Sequence, residues 1–275
     1  GNKTREDGIP MKRRSCKYLL TAALLCAALT LPAKAARRRV PVQADAIPVS
    51  AAAYVEQGVT YVPLRALLNA LGSWQVWWDG GAGQAAAISG SASLRADPAG
   101  NVIRVNGIAL SGRVTVESGV TYVPLRLVCE ALGCKVEWDP YLGGAAVTSP
   151  GAAYDAAELY WLSRIIYAES GAESMTGQIA VGNVILNRME SSRFPNTVEG
   201  VIFDRKDAVQ FEPVSNGQIY KTPSAQSVEA ARRVLDGENV IGSALYFYAP
   251  ALSQGVWINA SCTYQQTIGC HRFYL

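Results

Sequence analysis

The sequence predicts an α+β protein in two domains: an N-terminal repeated β-rich module with helices, then a C-terminal mainly helical domain with a small β part. Three observations lead there. The run Gly58-Val59-Thr60-Tyr61-Val62-Pro63-Leu64-Arg65 returns residue for residue as Gly119-Val120-Thr121-Tyr122-Val123-Pro124-Leu125-Arg126, and each copy continues to Ala-Leu-Gly at Gly72 and Gly133 and to Trp-Asp at Asp79 and Asp139. Beyond Thr148-Ser149-Pro150-Gly151 the apolar positions switch to helical spacing. At 275 residues the chain is also longer than one core usually organises.

Residues 1–10 have no start methionine and no apolar pattern, and read as an upstream extension. Residues 11–35 read as a signal peptide: Met11, then Lys12, Arg13, Arg14 and Lys17, an apolar run from Tyr18 to Leu31, and the small-residue site Ala33-Lys34-Ala35. Export with cleavage after Ala35 is expected. The apolar run is shorter than the ~20 residues of a membrane span, so no integral membrane segment is expected in the mature protein.

The repeated module spans 40–149. Each unit reads as a β-rich stretch ending at the tyrosine, a helix opened by proline and closed by glycine, and a strand entered through tryptophan. Leu64, Leu67, Leu68 and Leu71 in the first copy, with Leu125, Val128 and Leu132 in the second, form the apolar faces. Ile47 and Val55 align with Ile108 and Val116, so the strands repeat as well. Arg65 and Arg126, in the first helical turns, are expected to bond neighbouring groups, and Trp74, Trp77 and Trp78 to pack against the helix rather than stack on sugars.

Charge and composition remove several function classes. Seven of the 25 basic and two of the 22 acidic groups lie in the first 35 positions, leaving 18 against 20, too balanced for a basic field that would attract nucleic acid. The sole histidine, His271, excludes three-histidine copper or zinc centres. No ligand types recur at a metal-binding spacing, so neither metal nor cofactor is expected. Cys16 and Cys26 leave with the signal. Cys262 and Cys270 bracket a run ending in Gly269 and form either a disulfide clamp or two free thiols. Cys129, spaced with Leu125, Val128 and Leu132, reads as core. Cys270 and His271, adjacent on an extended strand, should point to opposite faces, which argues against a thiol protease or amidase.

The catalytic domain is expected over 153–275. Leu159, Leu162, Ile165 and Ile166 lie at helical spacing, and Glu169 falls on the same face. A carboxyl group held out of water prefers its neutral form and can deliver a proton to a leaving group. The alternative is a partly solvated helix-end glutamate paired with Arg164 or Arg188. Tyr246 and Tyr248 alternate with Leu245 and Phe247, so a strand turns both phenols to one face, where they line a groove or form an interior network. Gln210 and Phe211 are either substrate contacts or a loop anchor. Asn187 and Arg188 read as structural, and Asp204, Asp207 and Glu212 as solvated loop carboxylates.

The first half resembles the copper amine oxidase N-terminal-like domain, which implies a binding or spacing unit; the amine oxidase chemistry itself needs histidine ligands that this chain lacks. The second half resembles the spore cortex-lytic (SleB-type) cell wall hydrolases. The resemblance is carried by Arg164-Ile165-Ile166-Tyr167-Ala168-Glu169-Ser170-Gly171-Ala172-Glu173, by Gly177 to Arg188, by Phe194-Pro195-Asn196-Thr197, and by the closing Ile268-Gly269-Cys270-His271-Arg272-Phe273-Tyr274. It implies a lysozyme-like fold, peptidoglycan as the partner, and a wall- or spore-associated location. It also implies Glu169 as the acid of a lytic transglycosylase. A hydrolytic muramidase or glucosaminidase would need a second carboxylate, for which Glu173 is the candidate, and a non-catalytic wall-binding protein is the further alternative. The family usually has an arginine before a Gly-Glu pair, whereas this chain has Gly171-Ala172-Glu173.

Overall fold

A computed structural model describes residues 37–49, 52–206 and 208–275; the upstream extension, the signal segment and Asp207 lie outside the described residues. Arg38–Leu275 form one compact unit. Its first part is built of strands β1 (Arg38–Arg39), β2 (Val42–Ala44), β3 (Ile47–Pro48), β4 (Tyr54–Glu56) and β5 (Val59–Pro63), then helix α1 (Leu64–Leu71) and strands β6 (Gln75–Asp79), β7 (Gln84–Ser89) and β8 (Ala92–Asp97). The second copy supplies β9 (Val102–Val105), β10 (Ile108–Ser111), β11 (Thr115–Glu117), β12 (Val120–Pro124), helix α2 (Leu125–Ala131), β13 (Lys135–Asp139) and β14 (Gly144–Thr148).

The repeated Thr-Tyr-Val-Pro run makes the centre of the first sheet, ordered β1-β4-β5-β12-β11. There β5 and β12 pair antiparallel with Val62 opposite Val123. These are the same position of the two copies, so the copies are related by a pseudo-twofold axis at that point. Pro63 and Pro124 take the N-cap positions of α1 and α2, where the missing N–H is not needed. The other two sheets are formed by exchange. Strands β9 and β10 of the second copy join β6 and β7 of the first in the order β10-β9-β8-β7-β6, while β2 and β3 of the first join β13 and β14 of the second in the order β13-β14-β2-β3. Strand β8 lies between the copies and has no counterpart, so β14 meets β2 directly and in parallel. Leu64, Leu67 and Leu68 from α1 and Leu125, Val128 and Cys129 from α2 are buried in one common core.

The repeat also shows what the joint with the second part requires. The turn Asn106-Gly107 has both residues at positive φ, as tight hairpins need. Its counterpart is Asp45-Ala46, where Ala46 holds φ 67 although it has a side chain. The methyl of Ala46 packs on the helical core, a contact that glycine would not make.

The helical part contains α3 (Ala156–Ser170), α4 (Met175–Glu190), α5 (Val198–Ile202), α6 (Glu212–Asn216), α7 (Ala225–Leu235) and α8 (Val256–Ser261), with strands β15 (Tyr246–Tyr248), β16 (Tyr264–Ile268) and β17 (His271–Tyr274) in the order β15-β17-β16. Asp155 caps α3 by accepting from the backbone N–H groups of Ala157 and Glu158, and Ser174 and Ser224 cap α4 and α7 in the same way. Helix α3 packs against α4, α5 and α7. Every residue from Leu159 to Ile166 is buried, Ser163 and Arg164 included, so this stretch of the helix is enclosed on all sides rather than along one stripe. Among the described residues no helix is long and apolar enough to cross a membrane.

The two parts meet at Asp139, the carboxylate of the second Trp-Asp. Its Oδ1 accepts from the N–H groups of Tyr141 and Leu142, both at 2.9 Å, and its Oδ2 accepts from Trp161 Nε1 on α3 at 2.7 Å. Around it, Lys135 bonds Asp155 at 2.9 Å, Ala156 N–H donates to Thr148 Oγ1, and the Tyr141 and Phe203 rings stack with centroids 4.1 Å apart. Trp161→Phe keeps the ring contacts but leaves a carboxylate oxygen buried without its donor. We expect a loss of about 1.5–3 kcal/mol, measured by chemical denaturation, with Asp79→Asn in the exposed equivalent of the first copy costing less.

Candidate active site

Glu169 stands in the last turn of α3, one residue before the buried Ser170, whose hydroxyl donates back to the Ile166 carbonyl at 2.8 Å. The carboxyl group is half-buried. Among the described residues no donor lies within hydrogen-bond distance of it. Arg164 instead lies over the Tyr160 ring, 3.4 Å from its centroid, and Arg188 turns to other partners, so neither pairs with Glu169. Removal from water, and next the charge of Glu212, raise the Glu169 carboxyl from 4.5 to about 7. Glu212 opens α6 and is exposed. Its influence on Glu169 is absent from the local sequence pattern, because the two residues belong to separate elements.

The wall beside this helix is organised by one face of α4. Asn183 donates to the Glu238 carbonyl and accepts from Val240 N–H; Asn187 donates to the carbonyls of Gly242 and Ala244. Arg188, buried, donates from Nε to the Leu245 carbonyl at 2.8 Å and from a terminal nitrogen to Gln210 Oε1 at 3.3 Å. Its guanidinium lies 4.8, 5.2 and 5.4 Å from the centres of the Phe194, Phe211 and Tyr246 rings. Burial pulls its proton affinity down to about 10, so it stays charged at neutral pH. One cation thus holds α4, the loop before α6 and strand β15 together.

Strand β15 alternates as its sequence predicts. Phe247 packs inward against Phe211, His271 and Phe273, while Tyr246 meets Phe194 and the exposed Trp257 on the other face. Tyr248 accepts from Asn259 Nδ2 at 2.9 Å and stacks near Tyr274. Gln210 is half-exposed, with its amide bonded to Arg188 and to the Ala208 carbonyl. Phe211 departs from the expectation of a substrate contact: it is 3% exposed and belongs to the helical core, so it anchors the loop.

Of the two alternatives for Cys262 and Cys270, the structure has the thiols unpaired, and Cys270 is engaged with Glu173: Sγ donates to Oε1 at 2.8 Å and the backbone N–H to Oε2 at 3.3 Å. Glu173 therefore faces the β16–β17 turn. Cys270 lies in that two-residue turn rather than on the strand, which removes the alternation that would separate its side chain from His271. Cys129 is core, as its spacing predicts, and sits beside Cys134.

In the repeat part, α1 and α2 each help line a groove, of about 860 and 670 Å³, related by the pseudo-twofold. Arg126 is structural, bonding Glu130 and the Val136 carbonyl. Trp74 packs on the core, but Trp77 and Trp78 are 41% and 49% exposed and line the larger groove with Arg65, against the expectation that all three pack inward. Glu169 lines neither groove.

Comparison with known proteins defines both parts. Residues 172–274 are a cell wall hydrolase domain by their match to the Cell Wall Hydrolase family, and residues 42–146 are a copper amine oxidase N-terminal domain. The hydrolase match begins three residues after Glu169. The chain is similar to the spore cortex-lytic enzyme of Bacillus cereus, 39% identical over 105 residues, covering 38% of this chain and 39% of that protein. It is also similar to the spore cortex-lytic enzyme of Halalkalibacterium halodurans, 36% identical over 111 residues, covering 40% of this chain and 33% of the relative. The chain thus spans well under half the length of these relatives. Among solved structures, the catalytic domain of the germination-specific lytic transglycosylase SleB from Bacillus anthracis is 36% identical, covering 46% of this chain and 99% of that one, with a TM-score of 0.41.

The raised Glu169 carboxyl has a consequence for stability. From pH 4.5 to about 7 the folded state keeps a proton that the unfolded state releases, so this group makes the fold less stable as pH rises through that window. Glu169→Gln cannot ionise. Relative to the native protein, the variant should gain stability from pH 4.5 upward, reaching about 3 kcal/mol above pH 7, as read from denaturant midpoints across pH; a constant offset at all pH values contradicts the burial of this carboxyl.

Proposed function

We propose that the protein cleaves the glycan strands of peptidoglycan as a lytic transglycosylase, with Glu169 as its single general acid and base. The observation that carries this reading is the half-buried, unpartnered carboxyl with its proton affinity near neutrality, on a helix fixed on all sides. The cell wall hydrolase domain and the spore cortex-lytic relatives support the substrate class. Protonated Glu169 gives its proton to the glycosidic oxygen as the bond to the anomeric carbon breaks. The carboxylate then takes the proton of the muramic acid 6-hydroxyl, whose oxygen attacks that carbon. A 1,6-anhydro end forms, Glu169 regains its proton, and no water is consumed. Tyr246 and Trp257 offer aromatic faces to the sugar rings. In this reading residues 11–35 direct export to the wall or spore, and the repeat module, with Trp77 and Trp78 in its larger groove, holds the enzyme on the wall.

One observation favours a second reading. The charge of Glu212 acts on Glu169 while Glu173 is bound in the β16–β17 turn, so Glu212 is the carboxylate to test as the second group of a hydrolytic muramidase or glucosaminidase, activating a water molecule.

Mass spectrometry of muropeptides released from cortex and vegetative peptidoglycan separates the readings. Anhydro products that vanish in Glu169→Gln and persist in Glu212→Gln are expected. Cleavage should fall as pH rises through about 7, and Glu212→Gln should move that limb to lower pH. Reducing-end products lost in Glu212→Gln establish the hydrolase, and no products from either substrate establish a non-catalytic wall-binding protein.

A further inference from the structure

Glu173, Cys270 and His271 bring a carboxylate oxygen, a thiol sulfur and an imidazole nitrogen within 4.8 Å of one another, from positions far apart in the chain. Cys270 Sγ lies 2.8 Å from Glu173 Oε1 and 3.7 Å from His271 Nδ1. The backbone is shaped for this convergence. Gly269 holds φ 58, which glycine adopts without strain, and in the present position Glu173 Oε2 occupies the space a methyl group there would take. His271 is buried against Phe247, which fixes its ring, while Cys270 is open to solvent.

Two chemistries could use these groups. A cysteine nucleophile needs a cation or a helix N-terminus to favour its thiolate. Here the nearest partner is a carboxylate, whose charge works against a thiolate. The His271 ring is fixed by Phe247 with Nδ1 3.7 Å from the thiol sulfur. A carboxylate, an imidazole and a thiol are instead a metal donor set. We propose that Glu173, Cys270 and His271 bind a zinc-class divalent cation, which ties the β16–β17 turn to the segment following α3. Tetrahedral zinc places such donor atoms about 3.5 Å apart, so the thiol–imidazole spacing already fits and the carboxylate need only swing outward from the sulfur. The mixed sulfur, nitrogen and oxygen set selects zinc or cobalt over calcium or magnesium, which take oxygen ligands. Binding replaces the thiol proton, which leaves to solvent, and the exposed side leaves a fourth position for water. This site is independent of whether the chain cleaves glycan.

Titration of the full, reduced chain with Co²⁺ tests it, with binding also read by calorimetry. The native protein should take up one equivalent and show a near-ultraviolet thiolate-to-cobalt charge-transfer band, displaced by Zn²⁺ and unaffected by Mg²⁺. Cys270→Ser should lose the band, and both it and Glu173→Gln should bind more than about tenfold more weakly, with circular dichroism confirming that each remains folded. A folded native protein that binds no Co²⁺ overturns the site, as does a band of undiminished strength in Cys270→Ser, which would place the metal on another thiol.

Discussion

The carboxylate of Asp139 is the constraint on which the arrangement of this molecule depends. Three donors converge on it where a turn of the repeat part meets the interior of the helical part, and the side chain is 4% exposed. Trp161, its partner, lies eight residues before Glu169 on the same helix, about 12 Å along the axis. A helix packed on every side transmits position without bending, so the turn after β13 sets the height at which Glu169 emerges. In the first copy the equivalent Asp79 makes the same kind of turn with Ala82 but meets the half-exposed Arg95 instead. Duplication supplied two identical carboxylates, and burial made one of them a joint.

The surroundings of Glu169 divide polar work in a consistent way. Asn183, Asn187 and Arg188 of α4 are satisfied by backbone of the 238–245 segment and by Gln210, and the buried Gln178 by the carbonyls of Gly171 and Glu173 and the hydroxyl of Ser227, which removes the cost of unpaired buried groups. Among the described residues Glu169 receives no hydrogen-bond donor. A carboxyl that received two or three N–H donors would ionise readily and would hold no proton at neutral pH. The Arg188 cluster keeps the neighbouring strand in place while spending its charge on aromatic faces and a carbonyl, leaving none of it to neutralise Glu169.

What the sequence made legible is what is local. The repeat, the two short helices with their Leu64 and Leu125 faces, the helix that carries Glu169, the inward Phe247 and the buried Cys129 all follow from periodicity within a few turns or strand residues. What escaped depends on contacts between distant segments. Phe211 is apolar and loop-borne whether it meets a sugar or a core, and only tertiary packing decides. Cys270 is pulled to Glu173 by a turn closing on the end of a helix 97 positions away. Glu212 looks like any solvated loop carboxylate until α6 is brought to α3. Trp77 and Trp78 sit on β6, an edge strand of its sheet, because the strands that the second copy contributes join at the opposite edge.

The exchange of strands between the copies has a meaning beyond packing. Two identical units that trade strands about a twofold axis are the architecture of a swapped homodimer, and here the trade occurs within one chain, with β8 as the covalent bridge. A homodimer of such units dissociates on dilution. Joined in tandem, the halves face each other at a fixed effective concentration, so the paired grooves persist in a single molecule however sparse the protein becomes. The joining also freed each half to drift: one kept an exposed aromatic groove, the other gave up an aspartate to hold a second domain.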